Sequence, residues 1–313
     1  IGTKLGDFTT GSWANFENES FKLVSINVSR FDANKHLAQA VVGDAKVSLD
    51  DLSLALGDWK AGEEWNKKSQ AELKVWNEYV DKECAPSNQE VPSYVQVIGA
   101  IYKNSDPSDI AVTAAGGLVG EVIQVWRPRE LNTHETEWGF SCMSYEISGA
   151  LGIKMANPDK EVISFVGDGS YLLNNTDIYS SVITNNKLII IVCDNGGFAV
   201  INRLQLFKGG NEYNNLLKSS NTPGLVDIDF AKHAESMGAK SEHVSSISDL
   251  EEAFKRAKKS KVTYVISIKT HAYQWLEGSA FWDSPTLEVP TTKENKEALR
   301  LYKEGKSKQR QGV

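Results

Sequence analysis

Two apolar, β-branched runs, each stopping at a glycine turn, constrain this chain more than any other feature. Residues 162–166, Val-Ile-Ser-Phe-Val, end in Gly167-Asp168-Gly169, and residues 188–193, Leu-Ile-Ile-Ile-Val-Cys, end in Asp194-Asn195-Gly196-Gly197. Such runs read as strands buried on both faces of a parallel sheet. A helical stretch from about Asn175 to Thr184 separates them. Parallel strands end on the same side, so Asp168 and Asn195 are expected together at the carboxyl edge, where α/β sheets bind ligands.

One carboxylate, one amide oxygen and a glycine-rich carbonyl suit a hard cation such as Mg²⁺, which shares its oxygen ligands with phosphate and water. Backbone N–H groups in the two turns and at the next helix start could hold phosphate oxygens. A single Gly-Asp-Gly is common in strand-to-helix turns. The pair, with Asn195 after the second strand, is more specific.

Around it, strand and helix alternate from about residue 91 to 272, which predicts a doubly wound parallel α/β sheet. The expected helices cover Pro92 to Asn104, Val119 to Trp126, Ile147 to Met155, Ala199 to Phe207, Phe230 to Met237 and Ile247 to Lys259. Strands are expected at Asp109 to Thr113 and Tyr264 to Ile268, with a mobile loop at Gly209-Gly210-Asn211. Residues 1–57 read as the C-terminal part of a Rossmann-like domain, with strands at Phe21 to Val28 and Val41 to Ala45. Residues 58–90 read as a linker helix with Trp65, Leu73, Trp76 and Val80 on one face, ending at Pro86-Ser87-Asn88. Residues 273–313 form an aromatic strap (Tyr273, Trp275, Phe281, Trp282) and a basic tail helix. The opening Ile1-Gly2-Thr3-Lys4 has no initiator Met, and the first strands are too few to cover a sheet alone. The chain therefore reads as a piece of a longer polypeptide.

Composition narrows the partners. A net charge of −7 in 313 residues gives no basic surface for nucleic acid or a membrane. No apolar run approaches the roughly 18 residues of a membrane span. Cys84, Cys142 and Cys193 are far apart, which reads as reduced thiols of a cytoplasmic protein. No Gly-x-Gly-x-x-Gly opens a helix after a strand, so a dinucleotide-binding dehydrogenase is disfavoured.

The GDG…N pair resembles the cofactor motif of the thiamine-diphosphate (ThDP) enzyme superfamily, over essentially all of residues 91–272. The resemblance implies ThDP and Mg²⁺ as cofactors, with Asp168, Asn195 and the Gly197 carbonyl as metal ligands. It also implies that Gly116 and Gly117 approach the cofactor, that Met143 props its bent shape, and that Cys142, Gly167, Gly169, Ser170 and Phe198 line the same site. Two residues depart from the family pattern: Asp194 where Asn is common, and Ser144 where Gly often follows the Met. Within the superfamily, CDNGGFAVINRLQ together with EWGFSCMSYEISGA looks most like the trihydroxycyclohexanedione hydrolases of myo-inositol breakdown. That likeness implies C–C hydrolysis of a polyhydroxylated cyclic 1,2-dione. Asn202, Arg203, Gln205, His134 and Glu137 are the candidates for substrate-binding or catalytic groups. Enzymes of this type take a glutamate from an N-terminal pyrimidine-binding domain, which no segment here resembles. The expected site therefore forms between subunits of a homo-oligomer, a dimer or tetramer. An acetolactate-synthase-like carboligase or decarboxylase, and a non-catalytic fragment of the same fold, are the alternatives.

Overall fold

The computed structural model describes every residue except 19, 88, 138, 225, 279 and 311–313. Asn88 of the expected linker and Trp138 of the segment before Met143 therefore lie outside the described residues. The chain forms two compact units, residues 1–72 with 207–210 and 277–313, and residues 73–206 with 211–276.

In the first unit, strands β1 (Val24–Asn27) and β2 (Gln39–Val42) pair in parallel, Val24 opposite Gln39. Helix α1 (Ala45–Leu56) follows, its first turn capped by Asp44, whose carboxylate accepts the Lys46 and Val47 N–H groups. The basic tail forms a helix over Lys293–Ser307 that is not fully solvated, because Asn295 and Ala298 are buried. Asn295 Nδ2 donates to the Gly209 carbonyl at 2.6 Å, so the glycine stretch expected to be mobile is pinned there.

Helix α2 (Glu63–Glu83) carries the expected apolar stripe, but only its last turns use it. Val80 is fully buried and Trp76 packs against a core cluster, whereas Trp65 and Leu73 are exposed.

The second unit is built on a six-stranded sheet, all parallel, in the order β4-β3-β5-β6-β8-β7. The strands are β3 (Ile110–Thr113), β4 (His134–Thr136), β5 (Val162–Gly167), β6 (Ile189–Asp194), β7 (Lys240–Val244) and β8 (Tyr264–Lys269). Helices α3 (Tyr94–Asn104), α4 (Gly116–Val125), α5 (Tyr145–Ala156), α6 (Asp168–Leu173), α7 (Asp177–Ile183), α8 (Ala199–Phe207), α9 (Phe230–Ser236) and α10 (Ile247–Lys259) join them. Strand side chains alternate between two apolar layers. Ile163, Phe165 and Ile191 join the layer of α3, α4 and α10, and Val162, Ile190 and Val192 join that of α5, α7 and α9. The near-continuous apolar runs at β5 and β6 follow from this: a strand covered on both sides has no exposed polar face to alternate with.

The chain leaves β3 towards β4 and returns to place β5 on the other side of β3. This reversal opens a crevice at the carboxyl ends of β3 and β5, where doubly wound sheets bind ligands. Two elements escaped the sequence reading. The edge strand β7 is half exposed and polar, and α6 begins directly on Asp168 inside the expected turn. Among the described residues no helix is long and apolar enough to cross a membrane.

Candidate cofactor and metal site

Four segments converge at the carboxyl edge: the turn after β3, the turn entering α5, and the turns after β5 and β6. The glycines expected in a loop after β3 form the first turn of α4 instead, with Ala115 as its N-cap. A Cβ added to Gly117 would lie 2.5 Å from Trp275 Cζ3, so the indole rests on bare backbone. A Cβ on Gly169 would lie 2.7 Å from the Phe198 ring and 3.6 Å from Met143 Cε. Met143, Gly169 and Phe198, far apart in sequence, therefore share one wall.

Asp168 is buried, and burial followed by the neighbouring Asp194 pushes its carboxyl up to about 7, while the amides of Gly197 and Gly169 hold it down. Gly167 pairs with Cys193 across β5 and β6, which sets the two halves of the motif side by side. Asn195 Nδ2 donates to the Tyr94 hydroxyl at 2.5 Å, which fixes the amide orientation. Its Oδ1 is buried and has no hydrogen-bond partner among the described residues. A buried amide oxygen without a donor is costly unless something positive faces it. Gly197 has φ +141° and is flanked by strand-like bonds, Phe198 N–H to Asn215 O at 2.7 Å and Leu217 N–H to Gly196 O at 2.8 Å, while its own carbonyl accepts none of these bonds. A carboxylate, an unpartnered amide oxygen and a peptide carbonyl make an all-oxygen donor set that fits Mg²⁺. No cluster of three or more His, Cys, Asp or Glu suited to a softer metal occurs among the described residues.

The departure at Asp194 has a local answer. Its carboxylate accepts the Gly196 N–H at 3.0 Å and the Lys269 ammonium at 2.6 Å, so the extra charge is paired within the sheet unit. Ser144 has left-handed backbone, φ +78°, which explains why glycine suits that position. A side chain there costs about 1 kcal/mol. The Ser144 amide donates to Ser170 Oγ at 3.3 Å.

The remaining candidates divide. Glu137 organises its own loop, accepting the Phe140 and Cys142 N–H groups at 2.8 Å each. These bonds, Cys142's first, hold its carboxyl below the usual range. Cys142 itself is exposed. His134 begins edge strand β4 with Nε2 3.1 Å from Thr136 Oγ1, and burial lowers its pKa. On α8, the Arg203 guanidinium stacks 4.9 Å over the Trp275 ring, which links it to Gly117. Asn202 is buried, donates to Glu212 Oε1 at 2.9 Å, and its Oδ1 has no hydrogen-bond partner among the described residues. Gln205 is occupied by Asn215 Nδ2 at 2.5 Å.

Sequence reasoning missed Tyr94, Glu121 and Glu146. Tyr94 sits in an apolar helix face and shows its role only through Asn195. Glu121 is buried on α4 and accepts the Leu276 N–H at 3.3 and 3.2 Å, tying the strap segment that carries Trp275; burial pushes its carboxyl up to about 7 against that hydrogen bond. A charged residue inside an otherwise apolar helix was the available signal for both glutamates.

Residues 114–268 match the family model described as "Thiamine pyrophosphate enzyme, C-terminal TPP binding domain". The chain is 35% identical over 314 residues to a 3D-(3,5/4)-trihydroxycyclohexane-1,2-dione hydrolase of Clostridium tetani, covering 90% of the chain and 48% of that protein. It is 34% identical over 341 residues to the protein of the same name from Geobacillus thermodenitrificans, covering 97% of the chain and 52% of the relative. The chain thus spans about half the length of these curated relatives. A solved structure, the thiamine diphosphate-dependent 4-hydroxybenzoylformate decarboxylase of Rhodococcus jostii RHA1, superposes with a TM-score of 0.62 over 81% of this chain and 44% of its own. At 19% identity it speaks for the fold alone. With the β3, β5 and β6 turns all inside the matched residues, the chain belongs to the thiamine-diphosphate-dependent enzymes and carries their C-terminal cofactor-binding domain.

Proposed function

We propose that this chain is the cofactor-holding part of an enzyme that hydrolyses a C–C bond of 3D-(3,5/4)-trihydroxycyclohexane-1,2-dione to give 5-deoxyglucuronic acid in myo-inositol degradation, using ThDP and Mg²⁺. The observation that carries the substrate is the similarity, over 90% and 97% of the chain, to two proteins of that name. The metal reading is supported by Asn195 Oδ1, which has no hydrogen-bond partner among the described residues and follows the strand paired with the one that leads into Asp168.

In this reading Asp168, Asn195 and the Gly197 carbonyl would hold Mg²⁺, which would offset the charge of the diphosphate. The amides of Gly169 and Ser170 at the start of α6 would donate to the same anion. Met143 and Phe198 form an apolar support, and the Trp275 indole covers the Gly117 backbone and keeps water from it. When bound, the cofactor supplies a carbon nucleophile and an electron sink for cleavage next to a carbonyl. Arg203 and Asn202, on the helix that follows the second motif turn, would orient ring hydroxyls in this reading. Glu137 shapes the loop that delivers Met143, and His134 stays structural. The glutamate that activates the aminopyrimidine comes from a pyrimidine-binding domain, so the complete site lies between subunits of a cytoplasmic homo-oligomer.

The test is an assay of dione loss with ThDP and Mg²⁺, using the chain alone and the chain supplemented with a pyrimidine-binding domain. Turnover is expected only in the second case. Turnover by residues 1–313 alone refutes the need for the second domain. Pyruvate consumption without dione consumption refutes the hydrolase in favour of a carboligase.

A further inference from the structure

Glu146 is the second residue of α5, three positions after Met143, and it is 1% exposed. Its Oε1 accepts the Ala115 N–H at 3.3 Å and the Ser170 hydroxyl at 3.2 Å. Its own backbone carbonyl accepts the Ser164 hydroxyl of β5 at 2.7 Å, which seats this turn of α5 on the sheet. Ser170 Oγ in turn accepts the Ser144 N–H. A single carboxyl oxygen therefore joins the N-cap of α4, just before Gly116 and Gly117, to α6, just after Asp168 and Gly169. Through Ser170 it also reaches the turn that carries Met143. Glu146 Oε2 is buried without a hydrogen-bond partner among the described residues.

We propose that Glu146 is a positioning residue that locks the three ThDP-binding turns, at Ala115–Gly117, Met143–Ser144 and Asp168–Ser170, into one preformed cradle. The inference rests on the cofactor reading above and goes beyond it by assigning the spacing of the cradle to one buried side chain. The chemistry indicates the form in which the side chain does this. A buried carboxylate with one unpartnered oxygen would leave charge uncompensated, and burial pushes the Glu146 carboxyl up. A neutral carboxyl keeps Oε1 as a double acceptor and puts the proton on Oε2. Glutamine keeps the Oε1 acceptor and puts an NH2 group in place of the second oxygen. The lock therefore depends on the acceptor at Oε1, which E146Q retains and E146A removes.

The experiment measures binding of ThDP with Mg²⁺ to the full chain by calorimetry, for the wild type, E146Q, E146A and S170A. Amide hydrogen exchange at Ala115 and Ser144 is followed in the cofactor-free protein. E146Q is expected to bind within about twofold of wild type, because neutral isosteres retain the acceptor. E146A is expected to bind about tenfold more weakly, the size of effect typical for a group that orients first-contact ligands, with faster exchange at Ala115. S170A, which cuts the links from Glu146 to α6 and through it to Ser144 but leaves the Ala115 contact, should speed exchange at Ser144 and weaken binding by less. Should E146A fail to fold, E146Q and S170A carry the test. Equal affinity in E146A and wild type, E146Q as weak as E146A, or unchanged exchange in all variants overturns the assignment. Absence of ThDP binding by the wild-type chain also overturns it. Failure of the dione assay with binding intact refutes only the proposed reaction.

Discussion

Gly196 and Gly197 are adjacent, both have positive φ, and the structure separates their costs. At Gly196, φ is +77° and a Cβ would meet nothing within 4 Å, so alanine there suffers only left-handed backbone strain, about 1–2 kcal/mol. At Gly197, φ is +141°, a conformation held almost exclusively by glycine, which costs about 1–3 kcal/mol for another residue. The new Cβ would also lie 2.5 Å from Asn215 O and 3.1 Å from Leu216 Cα, both backbone atoms. That segment cannot withdraw without stretching the Phe198–Asn215 and Gly196–Leu217 hydrogen bonds, each worth about 0.5–1.5 kcal/mol. The total for Gly197→Ala is about 2–6 kcal/mol, roughly 2 more than for Gly196→Ala. In a unit of about 200 residues, each kcal/mol moves Tm by about 2–4 °C. Thermal unfolding followed by near-ultraviolet circular dichroism should place Gly197→Ala about 4–8 °C below Gly196→Ala. Equal Tm values for the two variants would refute the seating of residues 215–216 against Gly197, and with it the exposure of the Gly197 carbonyl to a metal.

Two further expectations concern Glu121 and Tyr94. The Glu121 carboxyl is raised from 4.5 to about 7 in the folded chain, so the native state binds its proton more tightly than the unfolded state does. Stability from this group is therefore unaffected below about pH 4.5, falls between 4.5 and 7, and stays about 3 kcal/mol lower above that. E121Q keeps the acceptor for Leu276 and removes the titration, so its gain over wild type in urea denaturation should be small at pH 4.5 and about 2–3 kcal/mol at pH 8. The same gain at both pH values would contradict burial as the cause. Tyr94→Phe removes the acceptor that orients Asn195, and Mg²⁺ affinity measured by calorimetry in the presence of ThDP should fall about tenfold. An unchanged affinity would show that the Asn195 amide does not need its partner.

The legibility of the site in the sequence follows from the physics of each part. Strands β5 and β6 and their glycine turns were readable because a strand covered on both faces needs an unbroken apolar run, and a sharp exit needs glycine. The same holds for α8 and α10, whose bounds at Ala199–Phe207 and Ile247–Lys259 match the pattern. Strand β7 was not readable, because an edge strand with polar residues on a half-exposed face carries no such run. The stripe on α2 misled at Trp65 and Leu73, because periodicity shows that a face exists but not whether anything covers all of it.

By itself, the sequence determined the parallel sheet, the place of Asp168 and Asn195 after its two central motif strands and the family to which they point, since these depend on local patterns repeated along one strand–turn–helix unit after another. Only the tertiary structure decided which groups surround that pair. Tyr94 on Asn195, Lys269 on Asp194, Trp275 on Gly117 and Glu146 between Ala115 and Ser170 are contacts between segments distant along the chain. Their partners are chosen by where the helices cross the sheet edge, and no local periodicity encodes that choice.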